Sequence, residues 1–130
     1  MPRVHFTGKV PDQILQQAYS ECDIFVAPSR FESFGLVFLE AMRAAKPVIG
    51  CKAGAMPEVI SDGETGLLVP PGRAPELETA LAWMIDHPKE RIQMGLAGRR
   101  IFETSFTSAK MAEISLGLYD LVAQRHHNVA

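Results

Sequence analysis

Two glutamates, Glu32 and Glu40, stand with seven residues between them in a stretch otherwise suited to a protein interior. Residues from Phe34 to Met42 are nearly all apolar, and a carboxylate is costly to bury there unless it accepts hydrogen bonds. A ribose diol offers two hydroxyl donors and no charge, so it suits Glu40, and Glu32 would accept from the hydroxyls of a second sugar. Two other interpretations stay open. Glu40 points to solvent or pairs with Arg43, or the two carboxylates form a general acid–base pair.

The helix that begins after Glu32 predicts an anion site. Ser33, Phe34, Gly35 and Leu36 would present free backbone N–H groups at a helix N-terminus, where the positive end of the helix dipole favours an anion. Gly35 would also let a ligand approach the backbone closely. A phosphate is the anion expected at this site, so the whole stretch would recognise ribose, diphosphate and sugar within one molecule.

The order of apolar segments predicts a parallel α/β sheet that positions these residues. Strands are expected at 3–8, 23–28, 47–51 and 66–70, and they alternate with helices at 11–22, 34–45 and 56–60. Alternation of this kind indicates βαβ units and a parallel sheet. Consecutive helices fill the rest of the chain, and the loop that carries Glu32 lies at the carboxyl end of a strand, where such sheets bind ligands.

Composition sets broad limits on function. The chain of 130 residues has the size of one domain, and 13 basic against 15 acidic residues argue against binding to nucleic acid. No apolar run reaches membrane-spanning length and no secretory leader is evident, so a cytoplasmic location is expected, with peripheral membrane contact as an open alternative. Residues 1–125 are expected to form the domain and 126–130 a frayed tail.

One segment resembles a known family signature. Residues 26–49, "VAPSRFESFGLVFLEAMRAAKPVI", closely resemble the Glu-x7-Glu signature of retaining GT-B glycosyltransferases of family 4. Three further segments, 4–26, 53–72 and 106–122, are similar to the strands, turns and closing helix around that signature. The resemblance implies a Rossmann-like parallel sheet with helices on both faces, which is half of a GT-B fold and ends in consecutive helices.

The same resemblance implies a role for each candidate residue. Glu40 would hold the ribose hydroxyls of a nucleoside diphosphate sugar, and Glu32 would be the catalytic-site glutamate in contact with the donor sugar. The amides of Phe34, Gly35 and Leu36 would bind the diphosphate and sugar. The nucleobase would meet the backbone near Lys9 and Val10.

The implied function is donor binding for transfer of a sugar, with retention of configuration, to an acceptor. The nucleotide sugar would be a substrate, and neither a cofactor nor a metal is expected, since the sequence has no Asp-x-Asp pair. Two alternatives stay open, a non-catalytic nucleotide-sugar-binding or regulatory module and an inactive fragment.

Two features of the family have no counterpart in this sequence. Family members carry an Arg and a Lys early in the same domain, and a whole N-terminal domain that binds the acceptor. The chain alone is therefore expected to be inactive, and its shortened sheet to self-associate through an exposed edge. A smaller departure is Ala55, which replaces a glycine beside Gly54, and Glu58 is expected to cap or pin this turn.

Overall fold

The computed structural model describes residues 3–127 of the chain, and the fold within them is α/β. The helices and strands are α1 Asp12–Glu21, β1 Phe25–Ala27, α2 Leu36–Arg43, β2 Val48–Cys51, α3 Met56–Val59, β3 Gly66–Val69, α4 Ala74–Asp86, α5 Pro88–Ser105 and α6 Ser108–His127. Strand and helix alternate up to β3, and consecutive helices follow, as predicted. None of the described helices combines the length and the apolarity needed to cross a bilayer.

The strands form a parallel sheet with the order β1-β2-β3. Val26 of β1 stands opposite Ile49 of β2, and Ile49 stands opposite Leu67 of β3. Because the strands are parallel, their carboxyl ends lie along one edge of the sheet. The loop after β1, which carries Glu32, and the loop after β2 are therefore neighbours.

Side chains alternate along β2 and bury two separate apolar cores, one on each face of the sheet. Val48 packs with α1, α2 and α3, in a core whose largest fully buried members are Phe38, Met42, Met56 and Ile60. Ile49 and Cys51 pack on the other face, together with Ala80 and Met84 of α4 and Met94 of α5. Helices thus cover both faces, as predicted for strands that are apolar throughout.

The segment predicted as the first strand, residues 3–8, is not a strand. It is irregular, and Val4 and Phe6 are 65% and 96% exposed. A strand needs a neighbour for its N–H and C=O groups, and no strand among residues 3–127 pairs with this segment. The outer edge of β1 also lacks a strand partner in the described part of the chain. Self-association through an exposed edge accordingly stays a prediction.

Helix α2 begins at Leu36, two residues later than predicted. Gly35 precedes it with φ 81°, in the left-handed region, so the regular helix cannot extend back to Phe34. A Cβ atom on Gly35 would also lie 2.1 Å from Cε of Met56. In the folded chain, the side chain of Met56 thus approaches the backbone at Gly35 closely.

The final helix, α6, continues to His127. The tail predicted at 126–130 therefore includes two helical residues, and residues 128–130 lie outside the described part of the chain.

Helix α5 packs tightly on the C-terminal end of α2 through Gly95. A Cβ atom there would lie 2.1 Å from the carbonyl oxygen of Ala45. Gly95→Ala should therefore lower the free energy of unfolding by about 1–2 kcal/mol, because the clash outweighs the gain of about 1 kcal/mol in helix propensity. Urea denaturation measures this difference.

Gly117 supplies the matched control, since it lies inside α6 and a Cβ atom there would meet nothing within 4 Å. Gly117→Ala should raise the stability by about 0.5–1 kcal/mol. Equal stabilisation by both substitutions would show that α5 and α2 move apart at no cost.

Candidate functional site

The backbone of Glu32 is fixed by the neighbouring loop. The N–H group of Ala55 donates to the carbonyl oxygen of Glu32 at 3.0 Å. Gly54 has φ +56°, and a Cβ atom on it would lie 2.1 Å from the same oxygen. Main-chain contacts thus hold this turn, whereas Glu58 is exposed and its side chain makes no hydrogen bond to any described residue. Glu32 is half-buried, and because these contacts use only its main chain, its carboxylate can still bind a ligand.

The N-terminus of α2 is uncapped. No side chain caps it, as is also the case for α1, α3, α4 and α5, but those four helices each carry an acidic residue in the first turn, whereas α2, like α6, has none there. Among residues 3–127, no backbone acceptor takes the amides of Ser33, Phe34, Gly35 or Leu36. Free N–H groups and an uncompensated dipole therefore meet at this point, which is the arrangement that binds anions.

Glu40 lies in the second turn of α2 and is half-buried. The hydroxyl of Tyr19, from α1, donates a hydrogen bond to Oε2 of Glu40 at 2.8 Å. Arg43 donates instead to Oε1 of Gln16 at 2.5 Å. The Glu40 carboxylate is therefore neither turned wholly to solvent nor paired with Arg43.

Burial, followed by the hydrogen bond to Glu40 and its charge, raises the pKa of Tyr19 above that of a free tyrosine. The hydroxyl is a donor at neutral pH, as in a free tyrosine, and the higher pKa keeps it a donor in more alkaline solution. Since the pKa is higher in the folded state, this interaction stabilises the fold fully below the pKa of an unfolded tyrosine, about 10. The contribution is lost as the pH rises above that value.

The hydrogen bond to Glu40 adds Tyr19 to the candidate site, and the sequence did not predict this role for Tyr19. Its spacing with Ile14, Leu15 and Ala18 predicts only the apolar face of a helix, and Tyr19 is indeed 6% exposed. A signal was nevertheless available, because a buried tyrosine hydroxyl usually finds a hydrogen-bond partner.

The structure does not join Lys9 and Val10 to the other candidates. They lie in the loop before α1, where Lys9 is exposed and Val10 is half-buried. No hydrogen bond or ion pair among the described residues connects either of them to Glu32 or Glu40. Their role in contacting a nucleobase stays a prediction.

Open space flanks the loop on two sides. A cavity of about 250 Å³, lined by Arg30, Cys51 and Arg73, lies at the carboxyl ends of the strands. An apolar groove of about 500 Å³ runs between Phe34 and Leu36, at the start of α2, and the first turns of α6. Arg30 therefore lines the cavity on the β3 side of the loop.

Comparison with known proteins identifies the family. A family model described as glycosyl transferases group 1 matches residues 1–87. The chain belongs to this family. The sulfoquinovosyl transferase of Arabidopsis thaliana is 40% identical to the chain over 102 residues, which are 76% of this chain and 20% of that protein.

Solved structures of glycosyltransferases share the fold. A sucrose-phosphate synthase from Thermosynechococcus elongatus matches with a TM-score of 0.85 and 33% identity, over 95% of this chain and 31% of its own. The Anabaena protein HepE, in complex with UDP-glucose, matches with a TM-score of 0.71 and 27% identity, over 80% of this chain and 29% of its own. The chain thus has the Rossmann-like half of a GT-B fold, as predicted. It spans less than a third of the length of each of the three proteins named here.

Proposed function

We propose that this chain is the donor-binding part of a retaining glycosyltransferase whose donor is a nucleoside diphosphate sugar. The observation that carries the proposal is the uncapped start of α2, with free amides at residues 33–36 and a glutamate on either side. A nucleoside diphosphate sugar has the matching order of groups, an anion between two polyols. The UDP-glucose bound to the Anabaena relative is a ligand of this class.

Each part of the site takes one part of the donor. The amides of Ser33, Phe34, Gly35 and Leu36 bind the diphosphate. Glu40, about 6 Å further along the helix axis than Leu36 at 1.5 Å per residue, accepts from the ribose hydroxyls. Residue Glu32 precedes the helix and accepts from the transferred sugar, where it is the catalytic residue.

Metal independence and retention belong to the same proposal. Transfer leaves negative charge on the departing diphosphate, and preorganised amides at a helix N-terminus stabilise developing charge without a metal ion. Retention rests on the resemblance of residues 26–49 to the Glu-x7-Glu signature. The acceptor is assigned to a domain outside this chain, because the chain spans 20% of the length of the sulfoquinovosyl transferase and 31% of that of the sucrose-phosphate synthase.

Backbone NMR of the ¹⁵N-labelled chain tests the diphosphate assignment. UDP and UDP-glucose should shift the amide signals of Ser33, Phe34, Gly35 and Leu36, because charge-assisted hydrogen bonds change the environment of each donor. Uridine at the same concentration should leave these four signals in place, and GDP and ADP test the choice of base. Shifts confined to other segments, or equal shifts with uridine and UDP, would contradict the assignment.

A further inference from the structure

The ring of Tyr19 is locked in place by an aromatic cluster. Its centroid lies 5.6 Å from that of Phe25 in β1, and Phe25 in turn meets Phe38 of α2 edge-on at 5.4 Å. Phe38 is fully buried and Tyr19 nearly so. The hydroxyl of Tyr19 is therefore held at a fixed point beside α2 by residues of three elements.

That fixed hydroxyl limits where the Glu40 carboxylate can point. Tyr19 donates to Oε2 alone, at 2.8 Å, so one lone-pair site of this oxygen is occupied. An ionised carboxylate has about four such sites, so Oε1 keeps both of its own and Oε2 keeps one. A diol needs two acceptor sites, and the bonded carboxylate still offers them.

We propose that Tyr19 is a positioning residue for sugar-nucleotide binding, which anchors Oε2 of Glu40 so that Oε1 faces the ribose diol. This inference rests on the proposed function of Glu40. Without the anchor, the Glu40 side chain would rotate among several rotamers, and the ordering would have to occur on binding. Arg43 does not supply an alternative anchor, because its guanidinium is bonded to Gln16 on α1.

Removal of the single hydroxyl tests the inference. In calorimetric or NMR titration of the full chain, Tyr19→Phe should weaken UDP binding about five- to tenfold, which is less than the full value of a hydrogen bond to a charged group because Glu40 itself remains. Binding of 2′,3′-dideoxy-UDP, which has no diol, should stay within about twofold of the wild-type value. Tyr119→Phe is the matched control, since Tyr119 is 73% exposed on α6, and it should change neither affinity.

Glu40→Ala separates failure of this inference from failure of the proposed function. If Glu40→Ala does not reduce the preference for UDP over the dideoxy analogue, the ribose assignment itself falls. If Glu40→Ala reduces it and Tyr19→Phe does not, only the positioning role falls. Equal weakening of both ligands by Tyr19→Phe would likewise make Tyr19 a structural residue and overturn the inference.

Two further variants keep the test decisive. In the Glu40→Ala background, Tyr19→Phe should have no additional effect on the preference for UDP, because nothing is left to orient. Phe25→Leu removes the ring on which Tyr19 packs but keeps the hydroxyl, and it should lower the preference about twofold through looser positioning. An unchanged preference in Phe25→Leu would contradict the aromatic lock, including in the case that Tyr19→Phe melts below the assay temperature.

Discussion

Glu40→Gln should weaken UDP binding by about 1.5–3 kcal/mol, the range for hydrogen bonds to a charged group. The amide has nearly the shape of the carboxylate, and its oxygen can still accept from Tyr19, so the fold should be retained. What the substitution removes is the negative charge and one acceptor atom, which are the two properties that a ribose diol uses. Isothermal titration of the chain with UDP measures the loss.

The dideoxy analogue makes this result specific. It has no ribose diol, so Glu40→Gln should change its affinity by less than about 0.5 kcal/mol, as for a surface substitution. Glu78→Gln is the matched control, because Glu78 is exposed on α4, which packs on the opposite face of the sheet. Equal losses for UDP and the analogue would show that Glu40 has a structural role, which is to accept the hydrogen bond from Tyr19.

The alternating strands and helices could be predicted because each is encoded locally. The apolar runs around Val26, Ile49 and Leu67 suit strands covered on both faces, and helices do cover both faces of the observed sheet. The expected strand at residues 3–8 has the same local character. It failed because a strand also requires a neighbour, and the local composition of a segment does not report whether one is present.

The candidate site likewise has one part that the sequence predicts and another that it does not. Glu32, Glu40 and the helix start between them are near in sequence, so a motif can show them together. Tyr19 reaches Glu40 across 21 positions, and only the packing of α1 on α2 brings its hydroxyl to 2.8 Å. The space beside Gly35 is likewise filled from a distant element, because the side chain of Met56, 21 positions later, lies where a Cβ atom of Gly35 would be. Contacts between distant elements are what the sequence pattern leaves out.

Glu32→Ala should remove most of the extra affinity that the sugar brings, about 1–3 kcal/mol for charge-assisted hydrogen bonds, while UDP itself binds almost as before. Any effect on UDP should be a slight gain, because a carboxylate near the diphosphate repels it. The loop should keep its shape, since the contact of Ala55 and Gly54 is with the main chain of Glu32 and not with its side chain. Parallel titrations with UDP and UDP-glucose give the difference directly.

Glu64 provides the control, because it is an exposed loop glutamate that precedes β3 and so lies toward the opposite edge of the parallel sheet from Glu32. Glu64→Ala should leave both affinities unchanged. If Glu32→Ala weakened the binding of UDP and UDP-glucose by the same amount, Glu32 would not contact the transferred sugar. Its assignment as the catalytic residue would then be wrong. The amides of residues 33–36 and Glu40 would then describe a nucleotide-binding module, since they contact the diphosphate and the ribose and not the transferred sugar.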